Sequence, residues 1–232
     1  MLDVENDTSV SSNVTIKDIL LYSEEQICDR IDSFNGIIVK ENELQLIENL
    51  IPKLLTIYDV KSKKNYYDKI FDFMKKIIMF VNPWLTPHIS DILYDTLEKA
   101  MLNKKKYTYM LLYELINKNS LQIKICMPKL IPVISSDVNN VSKIISESAT
   151  KTLEKLLTCS GNVDLDAFIP VVLNGIKNTD KIYDSVEALA SCVFVQNVEA
   201  PALAITTPII MRGLIDSKTA TRRLTCVIID NM

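Results

Sequence analysis

Apolar residues recur three and four positions apart along most of the chain, the interval that gathers them on one face of an α-helix. Ile16, Ile19, Leu20, Ile27 and Ile31 form the first such face, and Leu44, Ile47, Leu50, Ile51, Leu54 and Leu55 the second. They predict helices over about 15–33 and 41–58. Thr15 can cap the first, and Asn35-Gly36 can close it in a left-handed turn. Pro52 interrupts the second after its first turns. A third helix is expected over about 63–81, with Asn82-Pro83 as the following corner. A fourth covers 84–101 with Pro87 in its first turn, where a missing N–H costs nothing, and a fifth covers 107–118. Beyond Ser120 the helices fall into pairs: 120–136 with 141–157, 164–176 with 183–195, and 200–215 with 217–232. The last helix aligns Ala220, Leu224, Val227 and Ile228 in one stripe, leaving Lys218, Arg222, Arg223 and Asp230 toward water.

Pro132, Pro170 and Pro208 lie 38 residues apart, twice over, in the segments Leu-Ile-Pro-Val, Phe-Ile-Pro-Val and Thr-Thr-Pro-Ile. A period near 40 with a proline-bent first helix is the pattern of HEAT repeats. A helix pair with one apolar side cannot bury that side alone and needs a neighbour of its own kind. The expected fold is therefore all-α, an α-α superhelix of the HEAT/ARM type built from antiparallel helix pairs over residues 14–232. Only four glycines are present, too few for a sheet-rich or phosphate-loop fold and in keeping with helices joined by short polar corners.

A net charge of −3 gives no global pull toward nucleic acid, so any such contact needs a local basic patch. Five cysteines without CxxC or CxxH spacing read as reduced, buried thiols. Met1 to Asn13 is acidic and rich in Ser, Asn and Thr, unlike a signal or transit peptide, and is expected to be disordered. No apolar run approaches the ~20 residues of a membrane span, so a cytoplasmic location and no membrane partner are expected. No Walker A segment occurs, and His88, the single histidine, has no ligand or base partner at useful spacing. Nothing points to catalysis, a metal or a cofactor in this chain. Two basic clusters remain. Lys104, Lys105 and Lys106, beside Tyr107 and Tyr109, have the make-up of a backbone-gripping patch with stacking aromatics; the plainer reading is a solvated corner whose tyrosines face the core. Arg212, Lys218, Arg222 and Arg223 gather near the last corner, where arginines can fork onto phosphate oxygens or serve structure alone.

The run Val-Ile-Ile-Asp-Asn-Met at 227–232, preceded by Thr219, Ala220, Arg222 and Arg223 and by Arg212-Gly213-Leu214, resembles the N-terminal HEAT-repeat domain of translation elongation factor 3. This is an ATP-binding-cassette factor of fungi and some other eukaryotic lineages. Similarity runs collinearly from about Phe80 through Val81-Asn82-Pro83, Met-Pro-Lys-Leu-Ile-Pro-Val at 127–133, Ser148-Ala149-Thr150-Lys151 and Phe-Ile-Pro-Val at 168–171. Before Met79 only the helical character matches. The elongation-factor-like segment of a ribosome-binding stress-kinase activator shares much of the pattern.

The resemblance implies a HEAT array that leans on small-subunit ribosomal RNA and proteins, while cassettes outside this chain use ATP and Mg to release deacylated tRNA from the exit site. The family's lysine-rich Ile-Lys-Arg-Lys is Thr-Arg-Arg-Leu at 221–224, which shortens the basic patch, and its tryptophan-bearing corner is replaced by residues 136–141. A protein-binding HEAT scaffold is the alternative function. The amphipathic run that reaches Met232 without a stop signal leads to the expectation of a truncated array whose uncovered apolar edge self-associates.

Overall fold

In the computed structural model, which describes residues 14–36 and 41–232, every regular element is helical and no strand occurs among the described residues. The expected disordered tail, 1–13, lies outside the described residues. The chain divides into two compact units, one up to Met74 and one over Lys75–Met232.

In the first unit, the single helix expected over 15–33 is broken. Helix α1 (Ile16–Leu21) starts in a capping box, in which Thr15 accepts from the Asp18 N–H and Asp18 accepts from Thr15. Tyr22 is then extended, and a second capping box, Ser23 with Gln26, opens α2 (Glu24–Arg30). Two boxes eight residues apart satisfy two sets of N-terminal donors, which favours a break over one continuous rod. Short 3₁₀ turns at Ile31–Gly36 and Glu41–Leu46 lead to α3 (Ile47–Thr56), which carries Pro52. Helix α3 packs on α1, and Lys53 Nζ donates to Leu20 O at 2.5 Å. Ile16, Ile19, Ile27, Ile47, Leu50, Ile51 and Leu54 are all buried, together with Phe34 and Phe73, whose ring centres lie 5.5 Å apart. Tyr58 and Tyr67 lock the stretch between them by donating to each other's carbonyls, at 3.2 and 3.0 Å. Helix α4 (Tyr67–Ile78) follows.

The second unit is a set of antiparallel pairs: α5 (Thr86–Lys99) with α6 (Leu102–Lys118), α7 (Met127–Val138) with α8 (Lys143–Leu157), α10 (Ile169–Lys177) with α11 (Ile182–Ala190), and α12 (Ala200–Leu214) with α13 (Thr219–Asp230). The short α9 (Val163–Asp166) precedes α10. First helices pack on first helices, α5 on α7 and α10 on α12, and second on second, α6 on α8 and α11 on α13. This is the side-by-side stacking of a helical repeat array. Pro132 and Pro208 lie inside α7 and α12, as the period requires, whereas Pro170 stands in the first turn of α10. There the helix breaks ahead of the proline, because a proline's ring clashes with the carbonyl one turn back. That break leaves α10 with nine residues, and α12 packs directly on α7 as well as on α10. Ala202, Ala204, Thr206 and Gly213 on its buried side keep side chains small enough for the close approach.

The last helix corrects the expected stripe. Thr221, Thr225 and Ile228 face inward, while Ala220 and Val227 are exposed and Leu224 is half-buried. A helix can bury threonine because the hydroxyl reaches the preceding turn, and Thr225 Oγ1 donates to Thr221 O at 2.8 Å. The small threonine face also suits Gly213, where a Cβ would collide with Thr225 Oγ1. Four cysteines are buried as expected, but Cys226 is exposed on this helix. The left-handed glycine among the described residues is Gly161, at φ 68°, in the loop after α8.

At Gly175 a Cβ would stand 2.5 Å from Ser185 Oγ and 2.7 Å from Ile209 Cδ1. Overpacking of this kind costs about 1–3 kcal/mol, against about 1 kcal/mol gained from helix propensity. Gly175→Ala is expected to lower the urea midpoint. A raised midpoint would mean that α10, α11 and α12 are not in close contact there.

Candidate functional site

In the second unit the first helix of each pair ends where the chain turns into its partner, so several helix C-termini lie along one edge. Their last carbonyls have no partner within the helix and carry partial negative charge, which amides and cations relieve. The Ile176 carbonyl, in the last turn of α10, accepts from Asn139 Nδ2 at 3.0 Å and from Arg212 Nη1 at 2.9 Å. Arg212 Nη1 also reaches Gly175 O at 2.9 Å. At the next corner Arg222 Nη1 donates to Asp216 O at 2.6 Å and Ser217 O at 2.9 Å, and its Nη2 to Thr219 Oγ1 at 2.9 Å. Arg212 and Arg222 are thus engaged in closing helix ends. Lys218, the N-cap residue of α13, is exposed, its Nζ 5.9 Å from the centre of the Tyr183 ring. Arg223 is exposed and has no ion-pair or hydrogen-bond partner among the described residues. The structure therefore places Lys218, Arg222 and Arg223 at the corner between α12 and α13, with Lys218 and Arg223 exposed, while the Arg212 guanidinium reaches back to the end of α10.

The three lysines do not lie in a corner. Helix α6 begins at Leu102, five residues earlier than the apolar spacing predicts, and carries Lys104, Lys105 and Lys106 in its first turns. Cations at a helix N-terminus oppose the backbone dipole. Lys105 is compensated by Asp137, its Nζ 2.6 Å from Oδ2 with both side chains largely buried. Tyr109 OH donates to Asp137 Oδ2 at 2.5 Å and Asn140 Nδ2 to Oδ1 at 3.1 Å. Burial, then the hydrogen bond to Asp137, push the Tyr109 phenol far above its ordinary pKa. Lys106 sits 4.7 Å above the centre of the Tyr107 ring. Tyr107 and Tyr109 are buried, so neither offers a face for a base to stack on. The tyrosines face the core, as in the plainer reading, and the stacking patch is not formed by them. Asp137 is the residue that sequence spacing misses. Its signal is local: an acid in the last turn of a helix is unfavourable unless a cation answers it.

Among the described residues no group of three His, Cys, Asp or Glu side chains is placed to hold a metal. Among the described residues no helix is long and apolar enough to cross a membrane. His88 lies exposed in the first turn of α5. At the left-handed Gly161 a Cβ would meet the Lys124 side chain.

Residues 41–153 match the family model described as EF3 N-terminal HEAT repeat, and residues 181–232 that described as Elongation factor 3/GNC1 HEAT repeat. The chain belongs to the elongation factor 3 family. Elongation factor 3 of Phytophthora infestans is 36% identical over 157 residues, covering 67% of this chain and 15% of that protein. Elongation factor 3B of Saccharomyces cerevisiae is 31% identical over 198 residues, 82% of this chain and 19% of that protein. Elongation factor 3 of Pneumocystis carinii is 29% identical over 184 residues, 79% and 18% respectively. The chain thus spans less than a fifth of the length of each of these three relatives. Family similarity reaches back to residue 41, well before Phe80. The two models leave out 154–180, which holds the broken α9–α10 segment.

Removing Asp137 strands a half-buried lysine and a buried phenol. Asp137→Ala is expected to cost about 3 kcal/mol, as breaking a buried pair does, read as a lower urea midpoint. Tyr109 sets an alkaline limit as well. A phenol whose folded pKa is raised gives full stability below the unfolded value of about 10 and loses it as pH climbs above that value. The melting temperature should fall above pH 10, and fall less in Tyr109→Phe.

Proposed function

We propose that this chain is a ribosome-docking HEAT segment of an elongation-factor-3-like translation factor, cytoplasmic, working alongside ATP-binding cassettes outside these residues. Family membership supports the translation role. The observation that supports a docking surface is the last corner, where Lys218 and Arg223 stand exposed while Arg222 holds the carbonyls of the corner and Arg212 those at the end of α10. In this reading Lys218 and Arg223 meet phosphates of small-subunit ribosomal RNA, and Arg222 fixes the corner that presents them. Lys104 and Lys106 add positive charge farther along the same unit, with Lys105 tied to Asp137. ATP and Mg act in the cassettes, where hydrolysis drives release of exit-site tRNA.

The contact is largely electrostatic and weakens steeply with salt. Lys218→Glu with Arg223→Glu should reduce co-sedimentation with ribosomes by about tenfold at moderate salt, a size in line with losing two phosphate contacts, and leave the circular dichroism spectrum unchanged. Undiminished sedimentation would remove this corner from the interface.

A second reading is a protein-binding scaffold. It draws on exposed apolar residues ahead of three first helices, Trp84 at 89%, Ile125 at 75% and Val195 at 84%. Salt-insensitive binding of a protein, abolished by Trp84→Ala and indifferent to the Lys218 and Arg223 changes, would favour it. Self-association is a further part of the proposal, through Ile215, Val227 and Ile229, which are exposed on the last pair. Light scattering that gives a clean monomer at high concentration would dismiss it.

A further inference from the structure

Between α6 and α8 lies a groove of about 600 Å³ lined by Tyr113, Lys151, Glu154, Lys155 and Thr158. It is formed by second helices of two successive pairs and is separate from the last corner. Lys151 and Lys155 are four residues apart on α8, so their stems rise side by side on one face. Neither has an ion-pair partner among the described residues, and Lys151 is exposed. The acid between them, Glu154, is held by Lys177 Nζ at 2.7 Å. Glu114, the residue after Tyr113 on α6, is likewise held by Lys75 at 2.7 Å. Glu154 in the groove wall, Glu114 beside it and Glu147 one turn before Lys151 are thus each paired with a lysine that does not line the groove, and its own two lysines are left to an external anion. Tyr113 as a residue is 36% exposed, unlike the buried Tyr107 and Tyr109 on the same helix.

We infer that this groove binds single-stranded RNA, with Lys151 and Lys155 on successive phosphates and a base stacked on Tyr113. Paired lysine charges alone would serve an acidic peptide equally well. The partly exposed Tyr113 decides between them, because a base has a face to lay on its ring and a carboxylate side chain has none. The inference draws on the translation-factor reading only for RNA being at hand; the chemistry of the groove is its own.

The test uses the full chain and a ten-residue oligouridylate in fluorescence anisotropy across a salt series, with polyglutamate as competitor. Single-stranded contacts contribute about 0.7 to the salt slope per phosphate, so Lys151→Ala with Lys155→Ala should lower that slope by about 1.4 and weaken binding. Tyr113→Ala should weaken binding roughly five- to a hundredfold, the range for loss of one stacked base, while Tyr113→Phe retains it. The Lys218 and Arg223 changes should leave oligouridylate binding intact, which separates failure of this site from failure of ribosome docking. Unchanged affinity and slope in the double-lysine variant would overturn the inference. So would polyglutamate displacing the oligonucleotide from the native chain at equal charge concentration while Tyr113→Ala binds like the native chain, since the groove would then be a peptide site.

Discussion

The carbonyls of Gly175, Ile176, Asp216 and Ser217, at or just beyond two helix ends, take up side chains that would otherwise count as free surface. Each is met by an amide or guanidinium: Asn139 and Arg212 at the first end, Arg222 at the second. A nonpolar interface between helices is tolerant of sliding, because methyl groups have no preferred partner. A fork of N–H groups on a pair of carbonyls is not. The contacts from Asn139 and Arg212 tie neighbouring pairs together, while the aliphatic faces supply most of the driving force. The Arg222 contacts set the turn within the last pair.

The same geometry explains why positive charge in a sequence is a weak guide to a binding surface in a helical array. Of seven basic residues that stood out, Arg212 and Arg222 close helix ends, Lys105 neutralises a buried aspartate, and Lys106 lies over an aromatic ring. Helix ends concentrate cations for reasons of backbone electrostatics, and those are also the places where chains turn and surfaces are exposed. Lys151 and Lys155 carried no such mark in the sequence. Their claim rests on which neighbouring acids are already occupied, and only three dimensions disclose that.

Periodicity made the fold legible because it depends on nothing but burial. The expected pairs from Ser120 onward overlap α7 to α13, although α7 starts only at Met127, 164–176 is split into α9 and α10, and α11 stops at Ala190; the spacing of Pro132 and Pro208 places both inside first helices. The failures have separate causes. A second capping box at Ser23 outweighed an unbroken apolar face. The lysines before Tyr107 belonged to a helix whose apolar signal had not yet begun. In the final helix hydrophobicity pointed to Leu224 and Val227, yet threonine is what the close approach at Gly213 admits. Side-chain volume decided that face: the Thr225 hydroxyl is bonded to Thr221 O, the Thr221 hydroxyl is buried without a partner among the described residues, and a hydropathy pattern does not record volume.

Helix α12 touches α7 across the shortened α10. Repeat arrays ordinarily behave as chains of nearest neighbours, so that damage to one module spreads only by weakening the next. Here the module at 163–190 is bridged by a direct clasp between those flanking it. Melting from one end should therefore not halt at that weak point, and the three pairs from Met127 onward form a single cooperative block whose least regular member is sheltered by the two outer ones.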